Sequence, residues 1–131
     1  MSLRVFALAL AALVAVSGCD ARRSHDEPHH ETPSAAEASS GPQFAPGQLE
    51  HHFEKHGGEM GFRSKEDYLL AAQDLVRGGD GVETFSRSDG DRLMFRGATG
   101  EFGVLSGRGV IRTYFKPHDA ARYWQRQKEQ R

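Results

Sequence analysis

After Gly81 the apolar period of the chain changes from helical to strand-like. The joints between the β-prone runs then leave one way to pair them. VETFSRS (82–88), RLMFRG (92–97), EFGVLS (101–106) and VIRTYFKP (110–117) are separated only by DGD, ATG and GRG. Asp89-Gly90 and Arg108-Gly109 are residue types that tight turns require. Parallel neighbours need crossovers of about a dozen residues or more, so these four strands must form an antiparallel meander.

Two helices are expected before the strands and one after. Leu49, His52, Phe53 and His56 fall at i, i+3, i+4 and i+7, one stripe of a short helix that Gly57-Gly58 should end. Ser64-Lys65-Glu66-Asp67 resembles a capping box, and Tyr68, Ala71, Ala72, Leu75 and Val76 make an apolar face broadened by Leu69 and Leu70. Pro117 should end the last strand, with HDAARYWQRQKEQR forming a charged C-terminal helix. The expected class is α+β: two N-terminal helices packed on a four-stranded antiparallel sheet, plus a C-terminal helix.

Strict alternation along 110–116 would put Ile111, Thr113 and Phe115 on the core face and Arg112, Tyr114 and Lys116 on the other. The second strand divides similarly, with Leu93 and Phe95 inward and Arg92, Met94 and Arg96 outward. Cations are costly to bury unpaired, so the Arg112–Tyr114–Lys116 row should meet solvent or a ligand. From Leu49 onward there are fourteen Lys and Arg against thirteen Asp and Glu, so nucleic-acid binding would need such a local patch.

The first residues read as an export signal. MSLRVFALALAALVAVSGC carries one cation, Arg4, then an apolar run from Val5 to Val16, too short for a comfortable membrane span. Val16-Ser17-Gly18-Cys19 resembles the lipobox of bacterial lipoproteins. That resemblance implies a signal peptide over 1–18, cleavage before Cys19, and acyl chains that hold the protein to a membrane of the bacterial envelope. Cys19 is the chain's single cysteine, so no disulfide and no catalytic thiol is available to the domain. Residues 19–47, rich in Pro, Ser, Ala, Glu and His, have one large apolar side chain, Phe44, and read as a lipidated, disordered tether ahead of a domain over 48–131. His25, His29 and His30 lie in this tract without fixed geometry and read as solvated linker.

The histidines of the first helix allow several chemistries. His52 and His56 have the i, i+4 spacing of two zinc ligands, but Phe53 stands where a zinc protease places its glutamate. His51 and His56 are five apart, and a third ligand would have to come from His118 or a distant carboxylate. Neither a metal nor another cofactor is therefore expected. Acid–base chemistry needs less. Transfer of a 2′-hydroxyl onto the adjacent phosphate takes a base, an acid and groups that hold the phosphorane charge. His52 or His56 with Arg112, Lys116 and a hydroxyl from Thr113 or Tyr114 would be sufficient. The bland alternative is a histidine stripe that packs or binds the last carbonyls of its helix.

HFEKHGGEMGFRSKEDYLLAA (52–72) and FGVLSGRGVIRTYFKP (102–117) together resemble a toxin-type domain found at the C-termini of bacterial polymorphic toxins and pyocin-large-subunit-like proteins. The resemblance is carried by His52-Phe53, His56-Gly57, Tyr68, Phe102-Gly103, Gly109 and Arg112 through Pro117. It implies membership of the barnase, EndoU, colicin and RelE-like ribonuclease group, and metal-independent cleavage of RNA. It also implies His52, His56, Arg112, Thr113 and Lys116 as catalytic candidates. Arg92 and Tyr114 are the candidates for binding substrate, with Tyr114 as a platform for a base. Expected partners are the membrane, RNA, and an immunity or envelope protein. Toxin domains of this kind end long delivery proteins, whereas this one follows a lipobox and a tether. The competing expectation is therefore an envelope module that uses the same fold to bind a protein or ligand without catalysis. That alternative places His52 and His56 far from Arg112 and Lys116.

Overall fold

The computed structural model describes residues 40–130. In chain order these form β1 (Gln43–Phe44), α1 (Gln48–His52) running into a π-helical segment (Phe53–Gly57), and α2 (Lys65–Arg77). Then come β2 (Val82–Ser86), β3 (Arg92–Arg96), β4 (Glu101–Leu105), β5 (Val110–Phe115) and α3 (Ala120–Glu129). The α+β class and the β2–β5 meander are as expected, but the sheet has five strands and is mixed. Its order is β1-β5-β4-β3-β2, and β1 runs parallel to β5 with Gln43 opposite Val110 and Phe44 opposite Ile111. Phe44, the one large apolar residue assigned to the tether, is 7% exposed and belongs to the core. The signal, Cys19 and most of the tether lie outside the described residues.

Local chemistry explains the helix ends. Ser64 caps α2, its hydroxyl accepting from the Asp67 amide at 3.1 Å and donating to the Asp67 carboxylate at 2.8 Å. Gly57 and Gly58 do not stop α1 in the left-handed way expected, since Gly58 has φ −65° and the left-handed residue is Gly61. Gly57 serves a close approach instead. A Cβ there would stand 2.3 Å from the Phe53 ring, which lies across it.

The sheet is covered on both faces. Below α2, Tyr68, Leu69, Ala72, Leu75 and Val76 pack with Phe44, Met94, Leu105, Ile111 and Tyr114. Gly103 admits α2 here, because a Cβ on it would come within 3.1 Å of Leu75. On the opposite face Trp124 of α3 packs with Leu93, Phe95, Phe102 and Val104, and its indole N–H donates to Glu83 at 2.7 Å. Alternation put Met94 outward, but both faces of the sheet are covered and Met94 lies buried under α2.

The remaining correction comes from a β-bulge. Val104 pairs with Thr113 and Leu105 with Ile111, so Arg112 is an extra residue on β5. Alternation breaks there. Thr113 shares a row with Val104 and Leu93 on the α3 face, as Phe115 does with Phe102 and Phe95. Ile111 and Tyr114 both face α2. The expected Arg112–Tyr114–Lys116 row therefore does not exist.

Candidate active site at the seam of α1 and β5

The parallel pairing of β1 returns the chain along the free side of β5, so α1 and its π-helical continuation pass beside Arg112 to Phe115. Their histidines form a ladder of rings. His52 lies 5.2 Å from the Phe44 ring and 6.2 Å from His56, which stacks on Phe115 at 5.2 Å with 25° between planes. The His52 ring also interacts with the Arg112 backbone. Both histidines are partly buried, whereas His51 is exposed. Thr113 lies between these two levels of β5, on the face that carries Phe115.

Burial sets the charge of this pair. It lowers the pKa of His52, and the neighbouring His56, His51 and Lys55 add to the effect against an opposing pull from the Arg112 backbone. Burial and Lys55 likewise lower the pKa of His56, against the opposite charge of Glu59. An unperturbed imidazole titrates near ~6.5, so both rings are predominantly neutral at pH 7. Nδ1 of His52 is buried with no hydrogen-bond partner among the described residues.

Arg112 belongs to the same stretch by its backbone, but its guanidinium is held elsewhere. Its Nε donates to Oδ1 of Asp91 at 3.0 Å and stands 2.8 Å from Oδ2 in the same ion pair. Asp91 is buried just ahead of β3, and its own amide donates to Asp89 at 2.9 Å. Nothing in the spacing of Asp91 and Arg112 announced this pair; it depends on the bulge.

Three expected site residues are not brought to the seam. Tyr114 is fully buried beneath α2, its hydroxyl donating to Glu101 and its carbonyl accepting from the Tyr68 hydroxyl, so no base can stack on it. Burial first, then the Glu101 carboxylate, pushes its phenol pKa far up. Lys116 instead borders a hollow of about 180 Å³ with Glu59, Met60, Phe62, Thr99 and Glu101. Arg92 is exposed and lies in the row of Leu105 and Ser86, away from the face of Thr113. Sequence reasoning also missed the polar network at this second place. Glu101 accepts from Arg96, Thr99 and Tyr114, and Arg96 also pairs with Asp74.

No family model and no curated protein matches this chain. Among solved structures it is similar to a ribonuclease from Escherichia coli complexed with its inhibitor protein. Identity is 16%, the match covers 60% of this chain and 96% of that chain, and the TM-score is 0.43.

The seam has definite chemical capacity. A neutral imidazole accepts a proton and, once protonated, can return it, and β5 lies beside these rings through Phe115. Among the described residues, no group of three His, Cys, Asp or Glu side chains is placed to hold a metal ion.

Proposed function

We propose that this domain cleaves RNA without a metal at the seam of α1 and β5, in an exported protein anchored to the bacterial envelope through lipidated Cys19. One observation carries the catalytic reading: two stacked, partly buried imidazoles lie against the strand that bears Arg112 and Thr113. In the reaction one imidazole takes the proton of the ribose 2′-hydroxyl as its oxygen attacks the adjacent phosphorus. The bond to the 5′-oxygen breaks, and the imidazolium formed in the first transfer gives its proton to that oxygen. The products are a 2′,3′-cyclic phosphate end and a 5′-hydroxyl end. His56 is the better base because His52 is engaged with the Arg112 backbone and has a buried Nδ1. Thr113 then serves the phosphate oxygens.

The test is incubation of the full chain with tRNA in EDTA, with end-group analysis of the fragments. Cyclic phosphate ends are expected, and His56→Ala should lower the rate by about 10²-fold or more. Intact tRNA, or a His56→Ala variant as active as the parent, would sink the catalytic reading.

One observation favours the competing reading of a non-catalytic envelope module. The Arg112 guanidinium is committed to Asp91, and Lys116 lies beside Glu59 and Glu101. On that reading His56→Ala leaves RNA untouched, as does the parent, and the seam only joins α1 to the sheet.

A further inference from the structure

The tips of two hairpins meet beside Arg112. In the β2–β3 tip the Arg87 amide donates to the Asp91 carbonyl at 2.8 Å. In the β4–β5 tip the Ser106 amide donates to Val110 at 2.8 Å, and the Ser106 hydroxyl accepts from the Val110 amide at 3.0 Å. The tips abut through glycines, since a Cβ on Gly107 would stand 3.2 Å from the Gly90 carbonyl oxygen. Between them opens a pocket of about 450 Å³ lined by Asp89, Asp91, Ser106, Gly107, Arg108, Val110 and Arg112.

The charges in this pocket are not equivalent. Asp91 is buried and spent on the Nε edge of Arg112, and Asp89 accepts from the Asp91 amide. Among the described residues nothing pairs with the terminal nitrogens of Arg112 or with Arg108. A guanidinium fixed through Nε by a buried carboxylate presents its outer nitrogens in a set orientation, which suits two oxygens of one phosphate. Phe44 pairs with Ile111 next to Arg112 and its ring lies 5.2 Å from His52, so this pocket adjoins the seam.

We propose that Arg108 and Arg112 form a phosphate-binding subsite that holds a backbone phosphate of a nucleic-acid strand next to the one at the seam. Arg112 thus serves orientation of the strand, buttressed by Asp91, and Arg108 supplies the second cation. This deepens the ribonuclease reading and rests on it for the identity of the strand.

The experiment uses the full chain in a neutral detergent with a 5′-phosphorylated 2′-deoxy tetranucleotide, which lacks the attacking hydroxyl. Binding is followed by fluorescence anisotropy across a salt series, and the Arg112 Nε–H resonance by NMR. Arg108→Ala should weaken binding about fivefold and lower the salt slope by about one unit, with Arg108→Lys recovering part of the affinity. The Arg112 resonance should shift on titration. Equal affinity of Arg108→Ala and parent, or tighter binding of a polyglutamate peptide than of the oligonucleotide, overturns the proposal. Because no cleavage is read, the two claims separate. Oligonucleotide binding that depends on Arg108 in a chain that leaves tRNA intact keeps the subsite and removes the catalysis; cleavage of tRNA with Arg108-independent binding does the reverse.

Discussion

At the scale of single residues, His52 and His56 are where packing and chemistry compete. Both pKa values are lowered chiefly by burial, so the folded chain holds fewer protons than the unfolded chain once the pH drops into the imidazole range. The sign follows: the neutral ladder contributes its full stability above the unfolded value of ~6.5 and loses it as pH falls toward the lower folded values. Urea unfolding at pH 7 and pH 5 should show a lower midpoint at pH 5. The double variant His52→Gln, His56→Gln should reduce that difference; an undiminished difference would mean that other groups cause it. The residue scale is also where sequence reasoning did least well. Tyr114 looked exposed because alternation was counted from Val110, yet it is 0% exposed. His56 stacks on Phe115 of the strand that carries Arg112 and Thr113, but the course of the Arg112 side chain to Asp91 was not legible.

At the scale of elements, β2 to β5, α2 and α3 were readable because each carries its own signal: period, cap, or turn residues. β1 was not, since two residues have no period and the surrounding composition is that of a linker. Its importance lies in what it pairs with. Phe44 fills the core below α2 and forms one end of the histidine ladder. Phe44→Ala should therefore cost about 3 kcal/mol, the lower part of the range for truncating a buried phenylalanine. A shift in the urea midpoint measures this, and a loss below about 1 kcal/mol would show that β1 adds little. A fragment beginning at Leu49 would carry the same defect, so studies of the domain should begin no later than Ser40. The bulge was illegible for another reason. Nothing in VIRTYF marks Arg112 as the supernumerary residue; the pairing of Val104 with Thr113 and Leu105 with Ile111 decides it across strands.

For the whole molecule, the one cysteine and the residues around it bear on where the chain works. If Cys19 is acylated, the parent protein should sediment with membranes and Cys19→Ser should appear in the soluble envelope fraction; equal partition of the two would refute the anchor. The two-sided core suits a domain of this size, for a single covered face would bury too little apolar surface to hold so short a chain. The two edges of the sheet are not alike. One ends in β1 and is continued by α1 along β5; the other ends in β2, whose outer side meets no strand among the described residues. Two copies joined β2 to β2 would each spend that edge on the other, so association through this edge closes at a pair.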